Sequence, residues 1–507
     1  LPKVYKIYGA PGTGKTTWML NKLENELEFV PLERIAFVTH TVAAKREAKE
    51  RSKRKFSYEE ERFKYFKTIH GICYSEVGFS PDNIMQPSDY LRFGDNVGIP
   101  FSTRFTDECD IDGLPIGYNF SAGNEILAVR QLAAAKDRMV SEIPGDWPLN
   151  ISPLLMKSIM TEYSRFKEKH AKFDFIDMLQ MYQKLGQPLD IEVMFIDEAQ
   201  DLSELQWKIV EKMWQKAKRV YIAGDDDQSI YGFLGAAPNR FLKMHCDDEL
   251  ILPTSYRLKK NVWDYAQNII KQVHDRKDKK ITVRGIGGEI NYWNIDPTYL
   301  DLDHEEHTMI IARHHKQLQK IRKDLTARGV PYIHNNKAVN YSNHAMAIKA
   351  FLKQGEATPR QSAHLLRLSG KEAAARNVLR IGADRHDARF EVRLLDLPGI
   401  SLKNWVTKLS KNNADIRKNE MLYSIIQNKG LDALGVKPKI HLTTYHGSKG
   451  READHVVLFT DCYDKAWAHA EKYPDDERRL SYVGVTRARE KITIMLPQTD
   501  QYMRSLK

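Results

Sequence analysis

Val4-Tyr5-Lys6-Ile7-Tyr8 runs directly into Gly9-Ala10-Pro11-Gly12-Thr13-Gly14-Lys15-Thr16-Thr17, and an apolar-periodic stretch through Trp18, Leu20 and Leu23 follows. The order is a short buried strand, a glycine-rich loop and a helix, which is the context a phosphate-binding loop requires. Glycines let the backbone curl so that successive N–H groups and the helix N-terminus face an anion, and Lys15 adds a positive charge there. Gly9, Ala10, Pro11, Gly12, Thr13, Gly14, Lys15, Thr16 and Thr17 are therefore the candidate nucleotide-binding residues. Lys15 is also a catalytic candidate, and Thr16 a ligand for magnesium. Such a loop identifies an NTPase and says nothing about what the energy drives.

The second half of the site lies far downstream. Glu192-Val193-Met194-Phe195-Ile196 reads as a fully buried parallel strand that delivers Asp197-Glu198-Ala199-Gln200-Asp201 at its C-terminal end, where such sheets bind ligands. Two acids closing an apolar run need a cation or solvent to offset their desolvation. Asp197 is thus expected to hold magnesium, and Glu198 to orient and deprotonate an attacking water. A third strand, Arg219-Val220-Tyr221-Ile222-Ala223, leads into Gly224-Asp225-Asp226-Asp227-Gln228. Three acids and a glutamine after a strand suggest a loop facing the nucleotide, with Gln228 at the terminal phosphate.

Length and composition bound the rest. A chain of 507 residues exceeds what one core supports and should split into about three or four domains. The hydrophobic fraction of 42% is ordinary for a globular protein, and no stretch approaches the ~20 uninterrupted apolar residues of a membrane helix. A net charge of +11 is compatible with a polyanionic partner without establishing one. Cys73, Cys109, Cys246 and Cys462 are scattered and form no C-x-x-C, so no local zinc or iron–sulfur site is indicated, and a reducing, cytoplasmic setting is expected.

Beyond the P-loop, ordered motifs carry a family resemblance. Asp197-Glu198-Ala199-Gln200-Asp201 and the run from Gly224 to Phe233 look like the second and third motifs of superfamily 1 DNA helicases of the UvrD/Rep/PcrA type. Phe37-Val38-Thr39-His40-Thr41 and Thr68-Ile69-His70 are similar to DNA-contacting motifs, and Thr254-Ser255-Tyr256-Arg257 resembles N-Y-R. Thr443-Thr444-Tyr445-His446-Gly447-Ser448-Lys449-Gly450-Arg451-Glu452 looks like T-x-H-x-x-K-G-x-E, and Arg478 to Ala488 is nearly the last family motif. The resemblance implies ATP and Mg2+ as cofactors, and single-stranded DNA and ss/dsDNA junctions as partners, with no membrane. Replication or repair proteins are further possible partners. It implies that Arg257 and Arg487 reach across from a second lobe as arginine fingers, that Tyr256 stacks on adenine, and that Glu452 binds the ribose or couples nucleotide to DNA. Thr39, His40, Thr68, His70, Tyr231, Phe233 and His446 are the DNA-contacting residues it implies, and the wording of the third motif and of the run from Thr443 to Glu452 implies 3′ to 5′ movement.

The implied fold class is α/β, with two RecA-like lobes of parallel sheet flanked by helices, each carrying an inserted accessory domain. The expected boundaries are 1–72 and 173–253 for the first lobe, 73–172 for a mainly helical insertion, 254–340 and 440–507 for the second lobe, and 341–439 for a reduced second insertion. The function implied is an ATP-dependent helicase. A translocase that strips proteins from single strands and an ATP-switched recruitment protein remain as alternatives. An upstream adenine-reading glutamine motif is not expected within the chain, nor is a secretory leader or a fused nuclease after the last motif.

Overall fold

The computed structural model describes residues 2–39, 50, 62–101, 122–143, 152–294, 306–334, 337–338, 376, 413–430, 433 and 436–506. His40 and most of the expected second insertion, 341–439, lie outside those residues. By its contacts the chain divides into two compact units, one of Leu1–Glu289, Tyr463–Glu490 and Met503–Lys507, the other of Ile290–Cys462 and Lys491–Tyr502.

The first unit is built on six strands: β1 (Lys3–Tyr8), β2 (Ile35–Val38), β3 (Phe66–Lys67), β4 (Val193–Ile196), β5 (Arg219–Gly224) and β6 (Asp248–Ile251), in the spatial order β3-β2-β4-β5-β1-β6. Every pairing between them is parallel. The strands read as apolar runs because both faces are covered, and their alternation decides which face each residue serves. Val193 and Phe195 join Ile7, Ile35 and Phe37 under the helix Lys15–Glu26. Met194 and Ile196 join Ala36, Val38, Val220 and Ile222 under the helices Ile69–Val77, Phe175–Leu185 and Glu204–Met213. The strands that carry the P-loop and the D-E-A-Q-D run thus share one sheet, with β5 between them. The pair β7 (Thr254–Lys259) and β8 (Thr282–Gly285) forms a small separate sheet. By contacts this pair and the helix Pro474–Val485 belong with the first unit, whereas the expected lobe boundary fell at 254.

Between β3 and β4 the helices Pro87–Val97, Ala122–Ala135 and Pro153–His170 pack around Phe93, Phe101, Ile126, Leu132, Tyr163 and Phe166. A buried ionic cluster fastens this helical group to the returning chain. Asp174 caps the helix Phe175–Leu185 by accepting from the amides of Ile176 and Asp177 at 2.9 and 3.0 Å. It also accepts from Arg130 Nη1 at 2.7 Å, Tyr163 Oη at 3.0 Å and Lys167 Nζ at 3.1 Å, while Asp177 takes Arg130 Nη2 at 2.7 Å. Burial pushes the Asp174 carboxyl up, but Arg130 and Lys167 outweigh it and hold the group well below the usual carboxylate range.

Among the described residues a second sheet, mainly of the second unit, has seven strands: β9 (Glu289–Trp293), β10 (Thr308–Ala312), β11 (Tyr332–His334), β12 (Lys337–Ala338), β13 (Ile440–Thr444), β14 (Ala453–Phe459) and β15 (Ala488–Met495). Their order is β12-β11-β13-β10-β14-β15-β9, with β11, β13, β10 and β14 parallel. Ile310, Ala312, Leu442, Val457 and Phe459 meet the helices Gln319–Arg328 and Asn413–Lys429 on one face. The fold is therefore α/β, with two mainly parallel sheets flanked by helices in the manner of RecA-like helicase lobes.

Asp174→Ala removes a helix cap and one of the two carboxylates, with Asp177, that answer the buried Arg130 and Lys167, so a loss of about 3–5 kcal/mol is expected in urea denaturation. Because the folded carboxyl titrates below its unfolded value, that stabilisation is present above the ordinary carboxylate range and is lost as pH falls through the depressed value. The gap between wild type and variant should accordingly narrow in strong acid.

Candidate nucleotide site

The P-loop follows β1 and turns on two glycines with left-handed backbone. Gly12 has φ +76° and Gly14, which precedes the helix Lys15–Glu26, has φ +81°. Within the loop, Thr13 Oγ1 donates to the Ala10 carbonyl at 2.9 Å, and Lys15 Nζ donates to the Gly9 carbonyl at 2.7 Å. That bond curls the lysine back to the start of the loop.

Strand β7 braces the loop from outside. The Tyr256 amide donates to the Gly12 carbonyl at 2.9 Å, and Ser255 Oγ donates to the Pro11 carbonyl at 2.7 Å. A Cβ on Gly12 would stand 2.4 Å from Arg257 Cβ and 2.9 Å from Ser255 Oγ, so Arg257 is packed against the P-loop itself. Tyr256 is 60% exposed, with the Arg284 guanidinium 4.6 Å from its ring centroid. An exposed ring with an electron-rich face is what stacking on a base requires.

At the end of β4, Asp197 is buried and accepts from Thr16 Oγ1 at 3.2 Å and from the Glu198 amide at 2.9 Å. Burial, reinforced by the neighbouring Glu198 charge, pushes the Asp197 carboxyl up to about 7, although Lys15 pulls the other way. A buried carboxylate paired with a helix-N-terminal threonine fits the chemistry of a magnesium site, because a hard divalent cation takes oxygen ligands and offsets this desolvation. Glu198 adopts φ +56°, a strained left-handed conformation for a residue with a side chain, and accepts from Gln200 Nε2 at 2.6 Å. Gln200 in turn accepts from the Asp225 amide at 2.9 Å, tying the end of β4 to the end of β5.

Past β5, Gln228 Nε2 donates to Asp225 Oδ2 at 2.7 Å, and Gln228 Oε1 accepts from Arg487 Nη2 at 2.9 Å. Arg487 is 1% exposed, and its Nε donates to the Val483 carbonyl at 2.9 Å. Asp225, Asp226 and Asp227 are all buried, and each lies within 2.9 Å of Lys279 Nζ, the shortest approach being 2.6 Å to Asp226. Burial raises Asp225, yet Lys279 and then Lys15 outweigh it and hold this carboxyl low.

The structure brings together most of the residues singled out for nucleotide chemistry. Gly9 to Thr17, Asp197, Glu198, Gln228, Tyr256, Arg257 and Arg487 all fall in the first unit, and Glu452 and His446 in the second. Of the DNA-contact candidates, Thr39 is buried at the end of β2, and Thr68 caps the helix Ile69–Val77 by accepting from the Gly71 amide at 3.2 Å. His70 lies edge-on to Phe175 with centroids 5.9 Å apart, and the half-buried Tyr231 and Phe233 rings are 6.5 Å apart.

An AAA domain model matches residues 2–234, and a model of the UvrD-like helicase C-terminal domain matches residues 362–499. The ATP-dependent DNA helicase PcrA of Leuconostoc citreum is 25% identical over 340 residues, covering 62% of this chain and 42% of its own. PcrA of Staphylococcus aureus strain Mu50 is 24% identical over 311 residues, 57% of this chain and 40% of its own. These matches are similarities to UvrD/PcrA-type superfamily 1 helicases, and they support a helicase of that type. It spans about two fifths of the length of the curated relatives it matches.

Four residues around this site escaped the sequence reading. Ser255 and Gln200 stand inside quoted motifs but have no signal that separates them from their neighbours. Arg276 and Lys279 lie in a basic stretch, Arg276-Lys277-Asp278-Lys279-Lys280, that was not connected to the three acids. Three consecutive buried carboxylates demand opposite charge from elsewhere, and that demand is the signal that could have found them.

Gly12→Ala forces a side chain into a left-handed position already closed off by Arg257. Differential scanning calorimetry should show a loss of about 1–3 kcal/mol, and fluorescent-nucleotide titration should show weakened ATP binding.

Proposed function

We propose that this chain is an ATP-driven motor that moves 3′ to 5′ along single-stranded DNA and opens duplex at ss/dsDNA junctions, in replication, repair or recombination. The observation that supports this reading best is the continuous set of contacts in which β7 braces the P-loop, Thr16 meets Asp197, and Asp225, Gln228 and Arg487 follow one another by hydrogen bonds. An NTPase that only binds nucleotide needs the loop and the strand-end acids. A buried arginine delivered from near the end of the chain onto the glutamine of the third motif adds a group suited to stabilising charge on a transferring phosphoryl group.

In this reading the loop amides and Lys15 cradle the phosphates of ATP, and Thr16 and Asp197 hold magnesium. Glu198 orients the attacking water and takes its proton. Gln228, Arg257 and Arg487 stabilise the transition state, and Tyr256 stacks on the base. Magnesium, when bound, neutralises charge on the phosphate oxygens. The two sheets act as the two RecA-like lobes, with the expected domain boundaries kept as part of the proposal. Glu452 and His446 serve from the second lobe, and Thr39, His40, Thr68, His70, Tyr231 and Phe233 contact DNA. Stacking of bases on aromatic rings contributes about 1–3 kcal/mol per base and tolerates any sequence. The direction of movement rests on the motif wording, H-G-S-K-G and G-D-D-D-Q-S-I-Y-G.

Strand-separation assays in ATP and magnesium should show opening of a 3′-tailed duplex and none of a blunt or 5′-tailed one. Selective opening of the 5′-tailed substrate would reverse the polarity, and streptavidin displacement without strand separation would leave a translocase. Lys15→Ala should abolish hydrolysis while salt-sensitive DNA binding persists.

A further inference from the structure

The segment Asp275 to Lys279 answers all three buried acids of the third-motif loop. Arg276 takes Asp227 in a two-pronged contact, Nε to Oδ1 and Nη2 to Oδ2, both at 2.8 Å. The Lys277 amide donates to Asp226 Oδ2 at 2.7 Å. Lys279 Nζ donates to Asp225 Oδ1 at 2.7 Å and to Asp226 Oδ1 at 2.6 Å. The segment is itself held by the helix Pro474–Val485, since Arg479 Nη2 donates to the Asp275 carbonyl at 2.7 Å.

These contacts fix more than charge. Lys279 occupies one oxygen of Asp225, which leaves the other, Oδ2, to accept from Gln228 Nε2. With its amide nitrogen so committed, Gln228 presents Oε1 to Arg487 Nη2. Rotating the Gln228 amide by half a turn would set oxygen against carboxylate and nitrogen against guanidinium, two repulsive pairs in a buried setting. The Asp225 carboxylate and the Arg487 guanidinium therefore select one of two amide orientations, and Lys279, by holding Oδ1 of Asp225, fixes the carboxylate that does so.

We infer that Lys279 is a positioning residue for ATP hydrolysis: it acts through Asp225 to orient Gln228 and Arg487, and touches no substrate itself. This rests on the reading of Gln228 and Arg487 given above. Because catalysis depends on the placement of these groups and nucleotide affinity depends mainly on the P-loop, Lys279→Met should lower kcat by about 100-fold and leave KM for ATP nearly unchanged.

Removing one cation from three buried acids can also prevent folding, so the same comparison is made in a charge-balanced variant, Asp226→Asn/Lys279→Met. The amide oxygen that this substitution leaves in place of the Asp226 carboxylate can still accept from the Lys277 amide. Each variant is combined with Gln228→Ala, and ATPase kinetics are measured beside thermal melting. If Lys279 works through Gln228, then kcat of the combined variant matches that of Gln228→Ala within about twofold. Losses that multiply, or a folded charge-balanced variant with wild-type kcat, would overturn the inference. Wild-type kcat in Gln228→Ala alone would instead remove the reading of Gln228, and the role of Lys279 with it.

Discussion

Three carboxylates on consecutive residues, sealed from water at the end of β5, cannot exist without cations of their own, and the geometry of the site follows from where those cations come from. An isolated buried carboxylate would take up a proton. Here Lys279 and Arg276 supply the opposite charge, and the result is directional, because the carboxylate oxygens meet particular donors. The acids are thus a scaffold that converts charge balance into orientation. The same demand explains why β7, β8 and the helix Pro474–Val485 belong by contacts with the P-loop unit. The segment that follows the helix Lys260–Ile270 must stay against the third-motif loop to satisfy it, and Arg479 secures that segment from the helix side.

A similar economy governs the P-loop. Its backbone carbonyls at Pro11 and Gly12 would point away from any anion and need donors of their own. Ser255 and the Tyr256 amide supply them, so the strand that positions Arg257 also completes the hydrogen bonding of the loop. Gly12 permits this because its left-handed backbone and lack of a side chain let β7 approach. Bending the loop and placing the arginine are one packing event, which couples nucleotide affinity to the position of a catalytic candidate.

Much of this was legible in the sequence wherever local pattern and long-range need coincide. Glycines at fixed offsets after an apolar strand, and acids at the end of another, announce the loop and the strand-end carboxylates, and the shared parallel sheet follows because both must face one ligand. Strand pairing order was not readable in the same way. Nothing local says that β5 lies between β4 and β1, or that β3 follows β2 at the edge. The residues that were missed illustrate the limit. Lys279 is one lysine among several in Arg276-Lys277-Asp278-Lys279-Lys280, and an exposed lysine has the same letter as one that meets three buried acids. Burial separates them, and burial is set by tertiary packing. Arg487 was expected to arrive from a second lobe. By contacts it falls in the P-loop unit, because the helix that precedes it and its own Nη2 engage the third-motif loop.

The end of β4 shows how strain and polarity are reconciled at the same centre. Glu198 would relax in a right-handed or extended conformation, but its left-handed backbone starts the short turn Ala199–Asp201 at once after the strand. That turn brings the Gln200 amide group between Glu198 and the Asp225 backbone, donating to the first and accepting from the second. A glutamine is suited to this place because it carries both a donor and an acceptor, whereas a carboxylate there would repel Glu198 and an apolar residue would orphan the Asp225 amide. The strained backbone is thus held by a fully buried bridge between two strand ends. A displacement of either the water-activating candidate Glu198 or the loop that carries Gln228 must pass through that bridge to the other.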